Sequence, residues 1–231
     1  FDTVLSITLV DRPNRMHPQV FTRRLRELAD ENDRKCDAIR DEQAHVGYVL
    51  EVQAGRLPEI DTPIDGATGG AELRERLTLE QPRRRDVWVA NNPPLPYVAA
   101  ALPAAATRAI GLPGGPLVGL RLLNLASMTV AVMFACRLGS TLSGGDERAG
   151  ILTGAVVGAL PHVGFIAGMG MTDGVALMAV MGTIDAATRA AGRGSHRWWS
   201  TTLLWAAVGI GTRPMSAVLC VAVVVAAAVA T

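Results

Sequence analysis

The chain has 231 residues, 49% of them hydrophobic, and a formal net charge of +1 at pH 7. Residues 1–90 hold 17 of the 21 acidic and 14 of the 22 basic residues, whereas long stretches of residues 91–231 carry no charge. This balance, with no basic stripe between aromatic residues, argues against a nucleic-acid partner. An apolar half of this size predicts an integral membrane protein, because a bilayer-embedded surface must exclude charge.

The polar part of the chain comes first. Residues 1–40 form a charged segment whose place in the fold the sequence leaves open, with an amphipathic helix predicted near residues 19–40. Residues 41–93 are predicted to form an extracytoplasmic loop. The chain begins with Phe1 and ends inside an apolar run, so we expect segments to be missing at both ends, including the C-terminal part of the membrane region.

The stretch DEQAHVGY holds the first candidate site residues. If it is helical, Asp41, His45 and Tyr48 share one face. A carboxylate and an imidazole four residues apart could bind a metal or pass a proton. A solvated helix start, with Asp41 and Glu42 at its positive end, also explains the pattern. The local pattern alone favours this second interpretation.

A second candidate cluster is VANNPPLPY, which closes the loop. Its adjacent prolines suit the entry to a helix and cannot continue one. Asn92 then lies where a helix cap belongs, and Tyr97 follows in the first turn. Two hypotheses stay open for these residues, a structured entry to a membrane segment and a contact with a ligand.

Residues 94–231 are predicted to be the transmembrane helical region. About 20 apolar residues are needed to cross a membrane. The stretch over 95–110 is ambiguous because it is short and broken by Pro103. Predicted crossings, the third of them weakened by two aspartates and the fourth short, lie at 116–136, 149–168, 171–188, 198–212 and 214–231. The expected fold is therefore an all-α, polytopic transmembrane helical bundle with a polar extracytoplasmic loop.

Arginine placement predicts the orientation of this bundle. The connector with Arg189, Arg193 and Arg197 is the most basic one in the apolar part, which puts it in the cytoplasm. Counting helices then puts Asp173 and Arg213 outside. A charge in a transmembrane stretch is by default a functional-site hypothesis, and the alternative is that both residues lie at helix ends in headgroup water.

These motifs together resemble a known family. DEQAHVGYV followed by AGRLPEIDTP looks like the first extracytoplasmic loop of the GT-C membrane glycosyltransferases, in particular bacterial relatives of the dolichyl-phosphate-mannose protein mannosyltransferases. VANNPPLPY is similar to a second motif of that family, in which a histidine replaces Asn92 and an aromatic residue replaces Pro96. Arg121 in an apolar helix and the turn from Gly211 to Arg213 follow in the expected order.

The resemblance implies an inverting sugar transfer from a polyprenyl-phosphate carrier outside the cytoplasm, with a lipid-linked donor and membrane lipids as partners and the bacterial plasma membrane as location. It implies that Asp41 is the catalytic carboxylate, with Glu42 beside it. The substrate-binding residues would be His45, Asn92, Tyr97, Asp173 and Arg213. No metal ligand set is predicted, and three scattered cysteines predict no zinc site. The cofactor is unknown, with a divalent metal left open.

Two other functions are compatible with the same residues. In a transporter or channel, Asp173 and Arg213 would line a solute path, but internal repeats, which transporters commonly show, are not visible in the sequence. A non-catalytic membrane scaffold would not need an acidic pair, a histidine and charges at the membrane edge, all on the same side.

Overall fold

The computed structural model describes residue 42 and residues 44–59, 88–112 and 114–230. They all belong to one structural unit, Asp41–Thr231. Asp41 and the amphipathic helix predicted near residues 19–40 lie outside the described residues.

The described part of the chain is helical and contains no strand, as the all-α prediction requires. Helix α1 includes residue 42 and residues 44–53, and a short 3-10 helix, Trp88–Asn91, follows the loop. The remaining helices are α2 (Leu95–Ala109), α3 (Gly115–Leu142), α4 (Glu147–Ala159), α5 (Pro161–Ala167), α6 (Asp173–Arg193), α7 (His196–Ile210) and α8 (Pro214–Val229).

Prolines mark where several of these helices begin. Helices α2, α3, α5 and α8 each have a proline in the first two positions, where its missing N–H costs nothing and its fixed φ suits the helix. Gly114, which precedes α3, has a φ of +72°, a left-handed conformation that an L side chain rarely adopts. These signals explain why the predicted and observed starts of α3 and α8 agree to within one residue.

Helix α3 lies at the centre of the unit and packs against α2, α4 and α6. Small residues permit the close approach of these helices. A Cβ atom at Gly119 would lie 2.5 Å from the Ala104 Cα of α2, and one at Gly150 would lie 2.7 Å from the Cys136 carbonyl oxygen. The glycine at position 150 of α4 therefore lies at the contact of this helix with α3.

The crossing predicted over 149–168 is not one continuous helix. Helices α4 and α5 meet at a bend of 67°. Leu160 between them has a ψ of 123°, because the residue before a proline is driven out of the helical region. Pro161 therefore ends α4 and begins α5.

By length and composition, one helix of the described residues, α3, can cross a membrane on its own. Helices α4 and α5 meet the same criteria as a bent pair, and α8 is apolar but has 16 residues. The predicted crossings over 171–188 and 198–212 correspond to α6 and α7, which do not meet these criteria.

Candidate functional site

Glu42 is fixed by groups from two other parts of the fold. Its side chain is nearly buried, and Arg121 of α3 donates to both carboxylate oxygens, through Nε at 3.0 Å and Nη2 at 2.7 Å. The backbone N–H of Gly170, in the turn before α6, donates to the same carboxylate. A two-pronged guanidinium contact fixes orientation as well as distance. Glu42 thus fastens α1 to α3 and to the turn that leads into α6.

The buried His45 and Tyr97 form a hydrogen-bonded group with the half-buried Asn92. The His45 Nδ1 atom lies 2.8 Å from the Tyr97 hydroxyl oxygen, which also accepts a hydrogen bond from Asn92 Nδ2 at 3.1 Å. The Tyr48 ring stacks on the Tyr97 ring with centroids 3.7 Å apart, and its hydroxyl donates to the Asn92 carbonyl at 3.3 Å. His45 and Tyr48 lie on one face of α1, as predicted, and this face packs on the start of α2.

The interpretation of this stretch as a solvated helix start is wrong for its described residues. Glu42, His45, Tyr48 and Glu51 are each at most 6% exposed. Helix α1 is buried because its apolar residues, among them Val46 and Val49, join one core with residues of α2 and α3. Asp41, the predicted catalytic carboxylate, lies outside the described residues.

Burial and a nearby cation keep His45 neutral. Loss of hydration on burial, and to a smaller extent the positive charge of Arg213, together lower the pKa of His45 to about 3. A neutral imidazole has one donor and one acceptor nitrogen. His45 is therefore a fixed hydrogen-bond partner of Tyr97 at neutral pH, and its charge does not change across the physiological range.

Asp173 and Arg213 pair at the start of α6 and α8. Arg213 Nη2 donates to Asp173 Oδ2 at 2.9 Å, and each side chain is about one third exposed, 31% and 30%. Arg213 Nε lies 3.4 Å from the Thr172 hydroxyl, and Thr172 in turn lies beside the Tyr97 hydroxyl. The pair thus lies against the buried group on α1 and α2, with one side open to solvent.

The predicted substrate-binding residues therefore come together from four distant parts of the sequence. Comparison of the chain with models of protein families, with curated proteins and with solved structures found no match.

Asn92 does not have the capping role that its position suggested. Pro94 is the residue before α2, and no side chain caps this helix. The Asn92 amide instead donates to the Tyr97 hydroxyl, because the bend after the 3-10 helix turns its side chain toward the ring.

Two residues of the site were not assigned a contact from the sequence. Arg121 was noted in the family pattern without a partner, although an arginine in an apolar helix signals a counter-charge nearby. Asn124, one turn further along α3, is fully buried. It donates to the carbonyl oxygens of Ile166 and Met169 and accepts from the Gly174 N–H. Asn124 holds the turn that presents Gly170 and Asp173.

The described residues contain no group of three or more His, Cys, Asp or Glu side chains that could hold a metal ion. Among them the site offers one neutral imidazole, two phenols, a carboxylate whose oxygens are engaged, and a half-open ion pair. An arrangement of this kind can bind an anion through the open arginine and can position a neighbouring carboxylate.

Proposed function

We propose that this chain is part of an integral membrane glycosyltransferase of the GT-C type, which moves a sugar from a polyprenyl-phosphate carrier to an acceptor hydroxyl on the extracytoplasmic side. The observation that carries the proposal is the meeting of three separate motifs at one end of the helices. Glu42 of DEQAHVGY contacts the turn before Asp173, and Tyr97 of VANNPPLPY contacts His45.

The surface of the helices supports the membrane part of the proposal. Large apolar side chains point outward on α3, α4, α7 and α8 and are about half exposed or more, for example Leu125, Ile151, Leu204 and Val218. Large apolar side chains exposed on four helices are what a lipid-facing surface requires, because such a surface must exclude charge. A bilayer, together with further helices of the whole protein, would cover it, which favours a polytopic bundle.

The charges support an orientation for that bundle. In the proposed topology, the Arg189 to Arg197 connector faces the cytoplasm. The opposite end of α6 begins at Asp173, so the Asp173–Arg213 pair and α1 would face outward. A polyprenyl-phosphate donor presents its anionic group at that membrane surface, where the guanidinium of Arg213, paired with Asp173, is 31% exposed.

In the proposed reaction, Asp41 accepts the proton of the acceptor hydroxyl as the hydroxyl oxygen attacks the anomeric carbon. The bond between that carbon and the phosphate oxygen breaks, its electron pair leaves with the lipid phosphate, and the configuration inverts. Arg213 would stabilise the phosphate by a charge-assisted hydrogen bond. Hydrogen bonds from Arg121 and Gly170 occupy the carboxylate oxygens of Glu42. Its role in this scheme is therefore to fix the position of α1, which follows Asp41 in the sequence.

The neutral His45 has a supporting role in this scheme. A protonated imidazole beside Arg213 would bring a second positive charge into a buried group, which is costly. The neutral ring instead holds Tyr97 in place and adds no second positive charge to that of Arg213, which acts on it. Transfer of the acceptor proton is therefore assigned to Asp41 and not to His45.

The test is sugar transfer by the full-length protein from a polyprenyl-phosphate sugar. Asp41→Asn is nearly isosteric and should lower turnover about 10²–10⁴-fold, the usual contribution of a positioned proton acceptor. Asp37→Asn, which removes the same charge four residues upstream, is the matched control and should retain activity. Wild-type turnover in Asp41→Asn would end the catalytic assignment.

A solute transporter is the second candidate, favoured by the 67° break between α4 and α5, since interrupted helices often form transporter binding sites. Asp173 and Arg213 would then line the solute path. Solute flux into vesicles that contain the purified protein, together with no sugar transfer, would establish this function. The absence of both activities would favour a scaffold.

A further inference from the structure

A second charged cluster lies on α6, about 18 Å along its axis from Asp173 at 1.5 Å per residue. Asp185 is 2% exposed. Arg137 of α3 approaches its Oδ2 atom at 3.1 Å, and Arg189 of α6 approaches its Oδ1 atom at 3.1 Å. One carboxylate balances one guanidinium, so the cluster keeps one positive charge in excess.

The two arginines are held differently. Arg189 is 16% exposed; its guanidinium lies over the Trp198 ring of α7 at 5.2 Å and donates to the Thr141 hydroxyl at 3.3 Å. Arg137 is 47% exposed, and its guanidinium makes no second ion pair with any described residue. Arg189 is thus an internal brace, whereas Arg137 offers N–H groups to the outside.

We propose that Arg137, held by Asp185 beside Arg189, binds the phosphodiester of an acidic phospholipid headgroup. A planar guanidinium matches phosphate oxygens with two parallel hydrogen bonds. Tryptophans such as Trp198 are typical of headgroup depth, and basic pockets between helices on the cytoplasmic side are typical phospholipid sites. The site requires the membrane embedding proposed above but not sugar transfer.

The first experiment is a lipid titration of the purified chain in a neutral detergent, with the midpoint of thermal unfolding as readout. Phosphatidylglycerol should raise the midpoint saturably, and phosphatidylcholine at the same concentration should not. Inorganic phosphate is the third arm. An equal effect of inorganic phosphate, or of phosphatidylcholine, would overturn the proposal.

Variants identify the cluster as the site. Arg137→Gln should weaken phosphatidylglycerol binding about fivefold, from the usual contribution of one basic residue near an anionic surface. Arg148→Gln removes an exposed arginine at the start of α4 and should leave binding unchanged. Asp185→Asn should tighten binding, because it removes the competing internal anion.

The opposite signs expected for Arg137→Gln and Asp185→Asn separate binding from simple loss of structure. Equal weakening in Arg137→Gln and Arg148→Gln, or weakening in Asp185→Asn, would contradict the site. Because no step depends on a sugar donor, a negative result here leaves the glycosyltransferase proposal intact. A failed transfer assay likewise leaves the lipid site intact.

Discussion

Contacts of single side chains fix helix α1 to the other helices. Glu42 is the point where α1, α3 and the turn before α6 meet, through Arg121 and Gly170. Its matched neighbour in the same helix, Glu51, pairs with Arg56 just beyond the helix end and with no other arginine or lysine among the described residues. The two glutamates therefore differ in whether their ion pair joins distant parts of the chain.

Glu42→Gln should lower the free energy of unfolding by roughly 2 kcal/mol, between the values for buried and exposed pairs, because Arg121 is partly exposed. Glu51→Gln, the matched control, should cost less than about 1 kcal/mol. Denaturant unfolding of both variants measures the difference. Equal losses would mean that the cross-element contact contributes nothing of its own.

His45 predicts a pH dependence of stability. Its pKa is about 3 in the folded state and 6.5 ordinarily, so the unfolded chain takes up the proton first. Its contribution to stability is complete above pH 6.5 and is lost as the pH falls toward 3, by about 1.4 kcal/mol per pH unit.

The measurement is the slope of unfolding free energy against pH between 7 and 4.5. His45→Gln should have a shallower slope than the wild type, whereas His196→Gln, at an exposed histidine, should keep the wild-type slope. A slope unchanged in His45→Gln would show that the imidazole already protonates in the folded protein.

At the scale of elements, the turn between α5 and α6 depends on a side chain from another helix. Asn124 bonds to the backbone at Ile166, Met169 and Gly174. Met169 lies in the turn itself, whereas Ile166 belongs to the last turn of α5 and Gly174 to the first turn of α6. Helix ends leave backbone groups without intrahelical partners, and Asn124 bonds to these groups.

Asn124→Leu, which keeps the volume and removes the hydrogen bonds, should cost roughly 2–4 kcal/mol of stability, since three buried backbone groups lose a partner. Amide hydrogen exchange over residues 168–174 should also accelerate. Thr129→Val is the control, because Thr129 is exposed and bonds only within α3. Unchanged exchange in Asn124→Leu would rule out this role.

The sequence predicted the helices well where prolines and apolar runs coincide, as for α3 and α8. It missed the break at Pro161 because the residues on both sides are apolar, so hydropathy does not change there. The side-chain partners Arg121–Glu42 and Asn92–Tyr97 could not be predicted, because they depend on how helices pack. The placement of Asp173 and Arg213 on the same side of the membrane follows from counting helices, and this inference needs no knowledge of side-chain contacts.

For the whole molecule, charge is distributed by pairing. Helix α6 carries two aspartates, Asp173 and Asp185, and each of them pairs with an arginine. Unpaired charge on the faces between them would be costly in a bilayer. The proposed orientation of α6 relies on this pairing of its two aspartates.

The orientation can be measured by cysteine labelling of intact cells, after the native cysteines are replaced. Asp65→Cys in the loop should react with an impermeant reagent from outside, and Ser195→Cys between α6 and α7 should react only after the membrane is opened. Labelling of position 195 but not of position 65 in intact cells would reverse the proposed topology.

The length of α3 has a consequence for the membrane itself. Its two ion-paired arginines, Arg121 and Arg137, are about 24 Å apart along the axis at 1.5 Å per residue. A typical hydrocarbon core is about 30 Å thick, so in the proposed orientation the uncharged interval of α3 is short by roughly 6 Å. The surrounding lipid would have to thin, or both arginines would have to extend toward the headgroups. In the proposed orientation, the protein would therefore match bilayers with short acyl chains, and membrane thickness would act on the Arg121–Glu42 and Arg137–Asp185 ion pairs together.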